Sequence, residues 1–230
     1  ILVRDYHKRV VLADCDGQMN LTRFFLPEFD PEFGCNVTAV LTGDVEPYWW
    51  ENLVELRPGL ELLPGSTALY DLDLLAIRDG LGNIGELRIF RNNMADDGET
   101  DYFILDCPPG YTLASVSALM ASDEVVVPVG IDGFSFWGMA DMKAQLESLQ
   151  RAAPRIAGVL VLQWRNSEVV KQGVELIREM ELPMFKTAIR RTDKVPESTF
   201  DRQPIVRYSP GSAAAQDYRR WVREYLGEEL

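Results

Sequence analysis

Residues 10–20 read VVLADCDGQMN, an aliphatic run that ends in two aspartates one residue apart. The run has the length and the branched side chains of a strand that is covered on both faces. In an open parallel sheet, ligands bind beyond the carboxyl ends of the strands, and alternation along a strand directs Asp14 and Asp16 to the same side. Carboxylates this close repel each other unless a cation, a basic group or a proton intervenes. Taken alone, the segment fits a magnesium site and an Asp-x-Asp-Gly turn equally well.

A second aliphatic run, YFIL at 102–105, also ends in an acid, Asp106, within the segment LDCPPG. Pro108 and Pro109 follow it and restrict the backbone where the chain leaves the predicted sheet. An aspartate that ends a hydrophobic strand is the usual magnesium-side acid of P-loop nucleotidases. The two segments together therefore predict a cation-binding edge much more strongly than either does alone.

Aliphatic runs alternate with helical patterns along the rest of the chain, which predicts βαβ units and a mostly parallel sheet with helices on both faces. We expect a single domain that spans residues 1–230. The predicted strands are 10–14, 102–106, 124–129, 156–162 and about 184–189, and the predicted helices are 112–121, 135–150, 167–180 and 212–226. The less regular stretch between 27 and 66 is expected to contain a short helix at 36–43 and one or two strands at 53–66.

The charge balance limits the classes of partner. The 230 residues carry a formal net charge of −13, which argues against indiscriminate binding of polyanions over the whole surface. A local basic patch can still bind nucleic acid, and basic residues cluster near the C-terminus. These are Lys186, Arg190, Arg191, Lys194, Arg219, Arg220 and Arg223. No apolar stretch has the length of a membrane span, so we expect no membrane partner.

Histidine and cysteine usage excludes several chemistries. His7 is the only histidine and lies in a predicted helix end rich in Arg and Lys with no partner acid identified, which argues against Ser–His or Cys–His catalysis. The three cysteines are far apart and odd in number, so neither a disulfide framework nor a metal motif is predicted. We expect Cys15 and Cys107, next to aliphatic runs, to be core thiols in a reducing compartment.

Together these segments resemble the ParA/MinD family of deviant-Walker P-loop ATPases, and chromosome- and plasmid-partition ParA proteins most. VVLADCDGQMNLT resembles the second strand of that family and its following D-x-D-P-Q-x-N loop. YFILDCPPGYTLASVSALMASDEVVVPV resembles its Walker B strand, next helix and next strand, and TAIRRTDKVPESTFDRQPIVRYSPGSAAAQDYR resembles its C-terminal stretch. The resemblance extends from residue 10 to about 225 and is weakest over 27–100. It implies a P-loop NTPase fold of the SIMIBI type.

The resemblance also implies an activity. Members bind ATP and Mg²⁺, form a homodimer around two nucleotides, bind DNA without sequence preference and respond to a centromere-binding ParB-like partner, in the cytoplasm and on the nucleoid. Carried over to this chain, Asp16 orients the attacking water, while Asp14 and Asp106 support the magnesium ion. The other implied nucleotide-site residues are Gln18 and Asn20 in the first switch loop, Pro108 and Pro109 in the second, and Gln163, Arg191 and Pro196 around the adenine.

The chain departs from the family pattern in three places. No G-x-x-x-x-G-K-[ST] motif occurs in it, so the phosphate-binding lysine and loop are missing. The chain begins at Ile1 without a methionine, and we expect the first strand and the P-loop to belong to a preceding segment. Gly17 replaces the usual proline of the first motif. Arg190 stands where the family often has proline, which weakens the adenine assignment.

Two alternatives stay open at this point. One is a non-hydrolysing regulatory or adaptor protein of the same fold, which the absent P-loop motif would suit. The other is a phosphatase of the haloacid-dehalogenase type, in which the first Asp of Asp-x-Asp is a nucleophile. Those enzymes have Thr or Val where Gln18 stands, and Asp96-Asp97 fits a loop better than their second acid pair.

Overall fold

The computed structural model describes residues 1–44, 53–79, 84–131, 135–149 and 153–228. These residues form two compact units. The N-terminal unit comprises residues 2–122, and the C-terminal unit comprises residues 123–230 together with Ile1. The single domain expected over residues 1–230 stays a prediction.

The N-terminal unit contains a four-stranded, mostly parallel sheet with the strand order β2-β3-β1-β4. Its elements in chain order are α1 (Leu2–Tyr6), β1 (Val10–Asp14), α2 (Asn20–Phe25), α3 (Val37–Thr42), β2 (Val54–Arg57), β3 (Leu60–Leu63), α4 (Leu69–Asp79), α5 (Glu86–Asp97), β4 (Tyr102–Asp106) and α6 (Leu113–Ala121). Strand β1 pairs in parallel with β3 and with β4, while β2 runs antiparallel to β3. The predicted α/β class with a mostly parallel sheet is confirmed.

Strand β1 lies at the centre of this sheet because its side chains are apolar on both faces. Val11 and Ala13 belong to one buried cluster with Leu63 of β3 and with Leu87 and Met94 of α5. Burial of apolar side chains of this size stabilises a fold by roughly 1.5–3 kcal/mol each. The strand that ends in the acidic motif is therefore held rigidly by its own aliphatic residues.

The irregular stretch before residue 66 resolves into a short helix and a hairpin, as expected. The Asn36 side chain accepts a hydrogen bond from the backbone N–H of Ala39, which caps α3. The region predicted to contain one or two strands contains two, β2 and β3, which form an antiparallel hairpin with Gly59 in its turn. Gly59 has a φ of +79°, a left-handed conformation that glycine adopts at little cost.

The C-terminal unit contains the parallel strand pair β5 and β6 and the five helices α7 to α11 among its described residues. Its elements are β5 (Glu124–Gly130), α7 (Ser135–Ser148), β6 (Arg155–Leu162), α8 (Glu168–Glu179), α9 (Lys194–Phe200), α10 (Ile205–Tyr208) and α11 (Ala213–Tyr225). Serine side chains cap α8 and α11, because Ser167 accepts from the N–H of Val170 and Ser212 from the N–H of Ala215. The predicted strands and helices of this region are confirmed to within two residues, with one exception.

The predicted strand at 184–189 is wrong. The segment makes only isolated bridges, at Met184 with Val159 and at Arg190 with Trp164. Between them, the backbone N–H groups of Lys186 and Thr187 donate to the Glu224 carboxylate of α11, at 2.5 and 2.9 Å. Successive N–H groups of an extended strand point to opposite edges, so two neighbouring donors that share one carboxylate depart from strand geometry, and the ladder is interrupted.

Three of the described strands, β2, β4 and β5, have an open edge. Among the described residues, β4 pairs only with β1, and β5 pairs only with β6. Ile104 of β4 is 43% exposed although it lies in an aliphatic strand. An edge of this kind can accept a further strand. The strand and P-loop that the sequence analysis expects in a preceding segment stay a prediction. Within the described ranges, no helix is both long enough and apolar enough to cross a membrane.

Candidate functional site

Three carboxylates converge at the carboxyl ends of β1 and β4. Asp14 and Asp106 are direct partners in the parallel register of these strands, and Asp16 lies two residues beyond Asp14. Desolvation raises the pKa of Asp106 above its usual value, and the charges of Asp14 and Asp16 raise it further. Each of these acids thus acts on Asp106 electrostatically. The structure brings together the acidic cluster that the sequence predicts, and a bound cation would relieve its repulsion.

Asp14 is fully buried, and both of its carboxylate oxygens are occupied. Oδ2 accepts hydrogen bonds from the backbone N–H of Thr22 at 2.8 Å and from its Oγ1 at 2.7 Å. Oδ1 accepts from the backbone N–H of Asp16 at 3.3 Å. This geometry suits a residue that holds the loop in place, and the predicted support of a metal shell by Asp14 stays a prediction. A nucleophile must reach its substrate, so a fully buried Asp14 argues against the haloacid-dehalogenase alternative.

Thr22 connects Asp14 to a third segment of the N-terminal unit. Its Oγ1 donates to Asp14 and accepts from the backbone N–H of Gly65, at 2.8 Å, and the side chain is fully buried. A Cβ on Gly65 would lie only 2.9 Å from the backbone oxygen of Asp14, so glycine is required by the close approach. Sequence reasoning missed both residues, although the Asn-x-Thr spacing after the acidic motif places Thr22 in the first turn of α2.

The loop from Asp16 to Asn20 is a tight turn organised by Asp16. Its Oδ1 accepts from the N–H of Gln18 at 2.9 Å, and its backbone oxygen accepts from the N–H of Met19 at the same distance. Met19 adopts a left-handed conformation with a φ of 58°, and Asn20 begins α2. Gln18 and Asn20 are exposed, so both predicted switch residues are accessible. The turn interpretation and the site interpretation of Asp-x-Asp-Gly are thus compatible.

Pro108 and Pro109 follow β4 directly and lead to α6, whose N-terminus is capped by the Thr112 side chain. Pro109 is exposed and Pro108 is half-buried. The loop is tied to α4, because Asp73 Oδ1 accepts from the N–H of Leu113 at 2.6 Å.

The same helix supports the first loop. A Cβ on Gly17 would lie 2.8–3.0 Å from the ring of Tyr70. This contact explains why a glycine stands in the turn where the family usually has proline. Helix α4, which sequence reasoning missed, therefore contacts both loops that leave the acidic edge.

The cysteines depart from expectation. Cys15 is buried as expected, but Cys107 is exposed and Cys35 is half-buried, so the prediction of a core thiol is wrong for Cys107. The pKa of Cys15 is raised well above its usual value, first by interaction with the Cys107 side chain and then by burial and by the neighbouring acids Asp14 and Asp106. Cys107 is exposed because its strand has already ended, although the aliphatic run beside it suggests a core position.

Gln163, Arg191 and Pro196 lie in the C-terminal unit. Gln163 follows β6 directly with a φ of 51°, and the N–H of Arg191 donates to the backbone oxygen of Trp164 at 3.0 Å. The chain segments that contain Gln163 and Arg191 therefore lie side by side, and Pro196 lies on the following helix, α9. All three side chains are exposed. Their role around an adenine stays a prediction.

The C-terminal basic cluster is partly neutralised by acids. Arg190 makes a bidentate ion pair with Asp217, with both nitrogen–oxygen distances at 2.8 Å, and its backbone N–H donates to the same carboxylate. Lys194 pairs with Glu197 on α9 at 2.6 Å. Arg220 and Arg223 have looser acidic partners at 3.5 Å. Residues 186–228 nevertheless contain nine basic and six acidic residues, so this stretch is positive in a strongly acidic chain.

The acidic edge suits magnesium better than a metal that demands a full set of protein ligands. Within the described ranges, no three His, Cys, Asp or Glu side chains form a group that could hold a metal by themselves. Magnesium prefers oxygen ligands, keeps several waters and is usually held by one or two carboxylates together with substrate phosphates. The carboxylates of Asp16 and Asp106 can still accept such ligand contacts. Both oxygens of Asp14 already accept hydrogen bonds from the protein.

Residues 2–157 match a family model described as an AAA domain, AAA_31. The chain is also 30% identical over 230 residues to the chromosome-partitioning ATPase Soj of Thermus thermophilus, covering 95% of this chain and 84% of that protein. It is 27% identical to the sporulation initiation inhibitor protein Soj of Bacillus subtilis, over 94% of this chain and 86% of that one. An α/β protein with acids beyond the carboxyl ends of its parallel strands belongs to the class that binds ligands at that edge of the sheet. Within that class, this chain belongs to the ParA/MinD family of P-loop ATPases.

Solved structures agree on the fold. A Cyanothece McdA variant in complex with ATP superposes with a TM-score of 0.81 at 20% identity, covering 100% of this chain and 88% of that one. The septum site-determining protein MinD of Pyrococcus horikoshii, complexed with Mg-ADP, superposes with a TM-score of 0.71 at 20% identity, covering 94% and 83%. At this level of identity the likeness establishes the P-loop NTPase fold.

Proposed function

We propose that this protein is an ATP-dependent DNA-partitioning ATPase of the ParA type. In this proposal it hydrolyses ATP with Mg²⁺ and cycles between an ATP-bound, DNA-binding homodimer and a released form in the cytoplasm. The observation that carries the proposal is the convergence of Asp14, Asp16 and Asp106 at one sheet edge in a member of the ParA/MinD family. Relatives solved with ATP and with Mg-ADP support the same cofactors here.

The chemistry assigned to these residues is phosphoryl transfer by positioning and charge neutralisation. Asp16 orients the attacking water, and its backbone is fixed by the turn that its own carboxylate closes. Asp106 would hold a magnesium ion, which would supply charge neutralisation at the phosphates. Asp14 fixes the loop through its hydrogen bonds to Thr22 and Asp16.

The residues around the nucleotide have supporting roles. Gln18 and Asn20 face the γ-phosphate region from the first loop, and Pro108 and Pro109 shape the second loop. Gln163, Arg191 and Pro196 frame the adenine. The exposure of Gln18, Asn20, Pro109, Gln163 and Arg191 is compatible with ligand contact.

Turnover by Asp16→Ala tests the catalytic assignment. Because hydrolysis requires a phosphate-binding loop that these 230 residues do not contain, the assay uses the full-length protein. Loss of a water-orienting group is expected to lower ATP turnover by about 10²-fold or more, while ATP binding measured by fluorescent-nucleotide titration is kept. Asp201→Ala, an exposed acid on the other unit, is the matched control. Unchanged turnover in Asp16→Ala would remove Asp16 from the mechanism, and a wild type that binds but never hydrolyses ATP would favour the non-hydrolysing regulatory alternative.

DNA binding tests the partition assignment. Contacts from Lys186 and Arg220 to phosphates would make binding fall with salt, so the double variant Lys186→Ala/Arg220→Ala is expected to bind duplex DNA of any sequence more weakly and with a shallower salt slope. Lys171→Ala, which removes a basic residue paired with Glu168 on α8, should bind as the wild type does. The proposal also requires ATP for DNA binding and stimulation of turnover by a centromere-binding ParB-like protein. Binding that ignores ATP and salt would contradict it.

A further inference from the structure

Cys15 and Cys107 directly follow the acids that end β1 and β4. Asp14 and Asp106 are register partners, and the backbone N–H of Cys15 donates to the backbone oxygen of Asp106 at 2.8 Å. This bond continues the parallel ladder by one residue, so the two cysteines form its next pair. Both are free thiols; Cys15 is buried and Cys107 is exposed.

The register puts the two thiols within range of a covalent bond. Neighbouring strands lie about 4.8 Å apart, and disulfides join residues whose Cα atoms are about 4.4–6.8 Å apart. The Cys107 sulfur lies 3.8 Å from the backbone oxygen of Leu105, so it is turned back along its strand while the residue stays exposed. A side-chain rotation, without separation of the strands, is enough to join the two sulfurs.

We propose that Cys15 and Cys107 form a reversible oxidation site for peroxide at the edge of the acidic cluster. Hydrogen peroxide oxidises the exposed Cys107 thiol to a sulfenic acid and releases one water. The Cys15 thiol then attacks the Cys107 sulfur, an S–S bond forms, and the sulfenic hydroxyl leaves with a proton as a second water. The two thiols lose two electrons in total and peroxide gains them; a dithiol reductant reverses the reaction.

The bridge connects the two loops that leave the acidic edge. One contains Asp16 and Gln18, and the other contains Pro108 and Pro109. A covalent link one residue away from Asp14, Asp16 and Asp106 fixes the spacing of these acids and removes the freedom of the loops to close around a ligand. We therefore expect oxidation to lower ATP turnover, a consequence that rests on the proposed function.

Mass spectrometry of the full-length protein tests the bridge without reference to nucleotide. Reduced protein is treated with hydrogen peroxide, its remaining thiols are blocked with N-ethylmaleimide, and intact mass and non-reduced peptides are measured. The wild type is expected to lose two hydrogen atoms, to keep a reactive thiol at Cys35 and to yield a peptide pair joined through Cys15 and Cys107. Cys35→Ser should form the same bridge, whereas Cys15→Ser and Cys107→Ser should form none. Maleimide labelling of both Cys15 and Cys107 after treatment, or a bridge that includes Cys35, would overturn the proposal.

Turnover separates this proposal from the ATPase assignment. Oxidised wild type is expected to hydrolyse ATP roughly tenfold more slowly or worse, and dithiothreitol should restore its turnover. Cys15→Ser cannot form the bridge, so the same peroxide treatment should lower its turnover much less. A bridge that forms without any change in turnover would overturn the regulatory consequence. A bridge that forms in a protein whose reduced state never binds ATP would uphold the oxidation site and overturn the proposed function.

Discussion

Thr22 Oγ1 donates a 2.7 Å hydrogen bond to Asp14 Oδ2, and both side chains are fully buried. The same hydroxyl oxygen accepts from the N–H of Gly65, so one threonine joins the end of β1, the first turn of α2 and the residue that follows β3 and its proline. A buried carboxylate is costly unless its oxygens are hydrogen-bonded. The acidic edge of the sheet therefore depends on a residue that takes no part in the proposed chemistry.

Thr22→Val should destabilise the protein strongly although valine and threonine have nearly the same volume. Valine keeps the shape of threonine but leaves Asp14 one donor short and the Gly65 N–H without an acceptor. Each unsatisfied buried group costs about 1–3 kcal/mol, so the free energy of unfolding should fall by about 2–6 kcal/mol in urea titrations. Thr22→Ser keeps the hydroxyl and loses one methyl group, for which about 1 kcal/mol is expected. Equal losses in the two variants would show that packing, and not the hydroxyl, holds Asp14.

Gly65→Ala should displace Asp14. The added Cβ would lie 2.9 Å from the Asp14 backbone oxygen and 3.0 Å from its Cγ, and Asp14 cannot yield easily because it is fully buried. Overpacking of this kind costs typically about 1–3 kcal/mol, and Mg²⁺-dependent ATP affinity should fall with it. The matched control is Gly211→Ala, where a Cβ meets nothing within 4 Å. If Gly65→Ala melts at the control's temperature, the close approach is not a constraint.

The strands at the site could be predicted from sequence, but the network beneath them could not. The predicted bounds of β1 and β4 match the structure because both strands are aliphatic runs that end in aspartate. Helix α5 was missed although Leu87, Phe90 and Met94 are buried at helical spacing, and the expected loop at Asp96-Asp97 is wrong because both residues belong to the end of this helix. Thr22 gives no such signal: it lies eight residues from Asp14, and only the turn into α2 brings them together. The exposure of Cys107 likewise depends on where β4 ends.

Long-range side-chain pairs explain the remaining failures. Arg190 belongs to a basic cluster in the sequence, yet its partner Asp217 lies 27 residues further on. Glu224 looks like an ordinary surface acid of the last helix, but it accepts the two N–H groups that break the predicted strand at 184–189. Neither contact follows from local periodicity, because both depend on how α11 packs on the segment after α8.

Asp217→Asn should weaken the protein in a pH-dependent way. Burial by itself raises the pKa of Asp217, but hydrogen bonds from Arg190 outweigh it, and the net shift is downward. A lowered folded-state pKa contributes stability that is present above the unfolded value of about 3.9 and is lost as pH falls through the folded value. At pH 7 the variant should lose roughly 1.5–3 kcal/mol of unfolding free energy, the range for charged hydrogen bonds, and the difference should shrink on acidification below about pH 4. Glu168→Gln, which breaks an exposed pair with Lys171, should change little at any pH. A difference that is constant with pH would mean that the charge of Asp217 is not what stabilises the fold.

Asp106→Asn should raise the free energy of unfolding at pH 7, whereas Asp217→Asn lowers it. The same substitution should weaken ATP binding, so it separates stability from function. Desolvation, Asp14 and Asp16 raise the pKa of Asp106, so the folded state holds a proton there more tightly than the unfolded state does. The charged carboxylate therefore destabilises the fold above its raised pKa, and that penalty fades as pH falls through this value toward the unfolded one. Without magnesium or nucleotide, Asp106→Asn should unfold at a higher urea concentration than the wild type at pH 7, and the two proteins should converge in acid. The same variant should lose Mg²⁺-dependent ATP affinity, because the carboxylate that destabilises the empty edge is the one assigned to the ion. Asp201→Asn, at an exposed position away from the cluster, should do neither. A less stable Asp106→Asn at pH 7 would show that repulsion among the three acids does not govern this edge of the sheet.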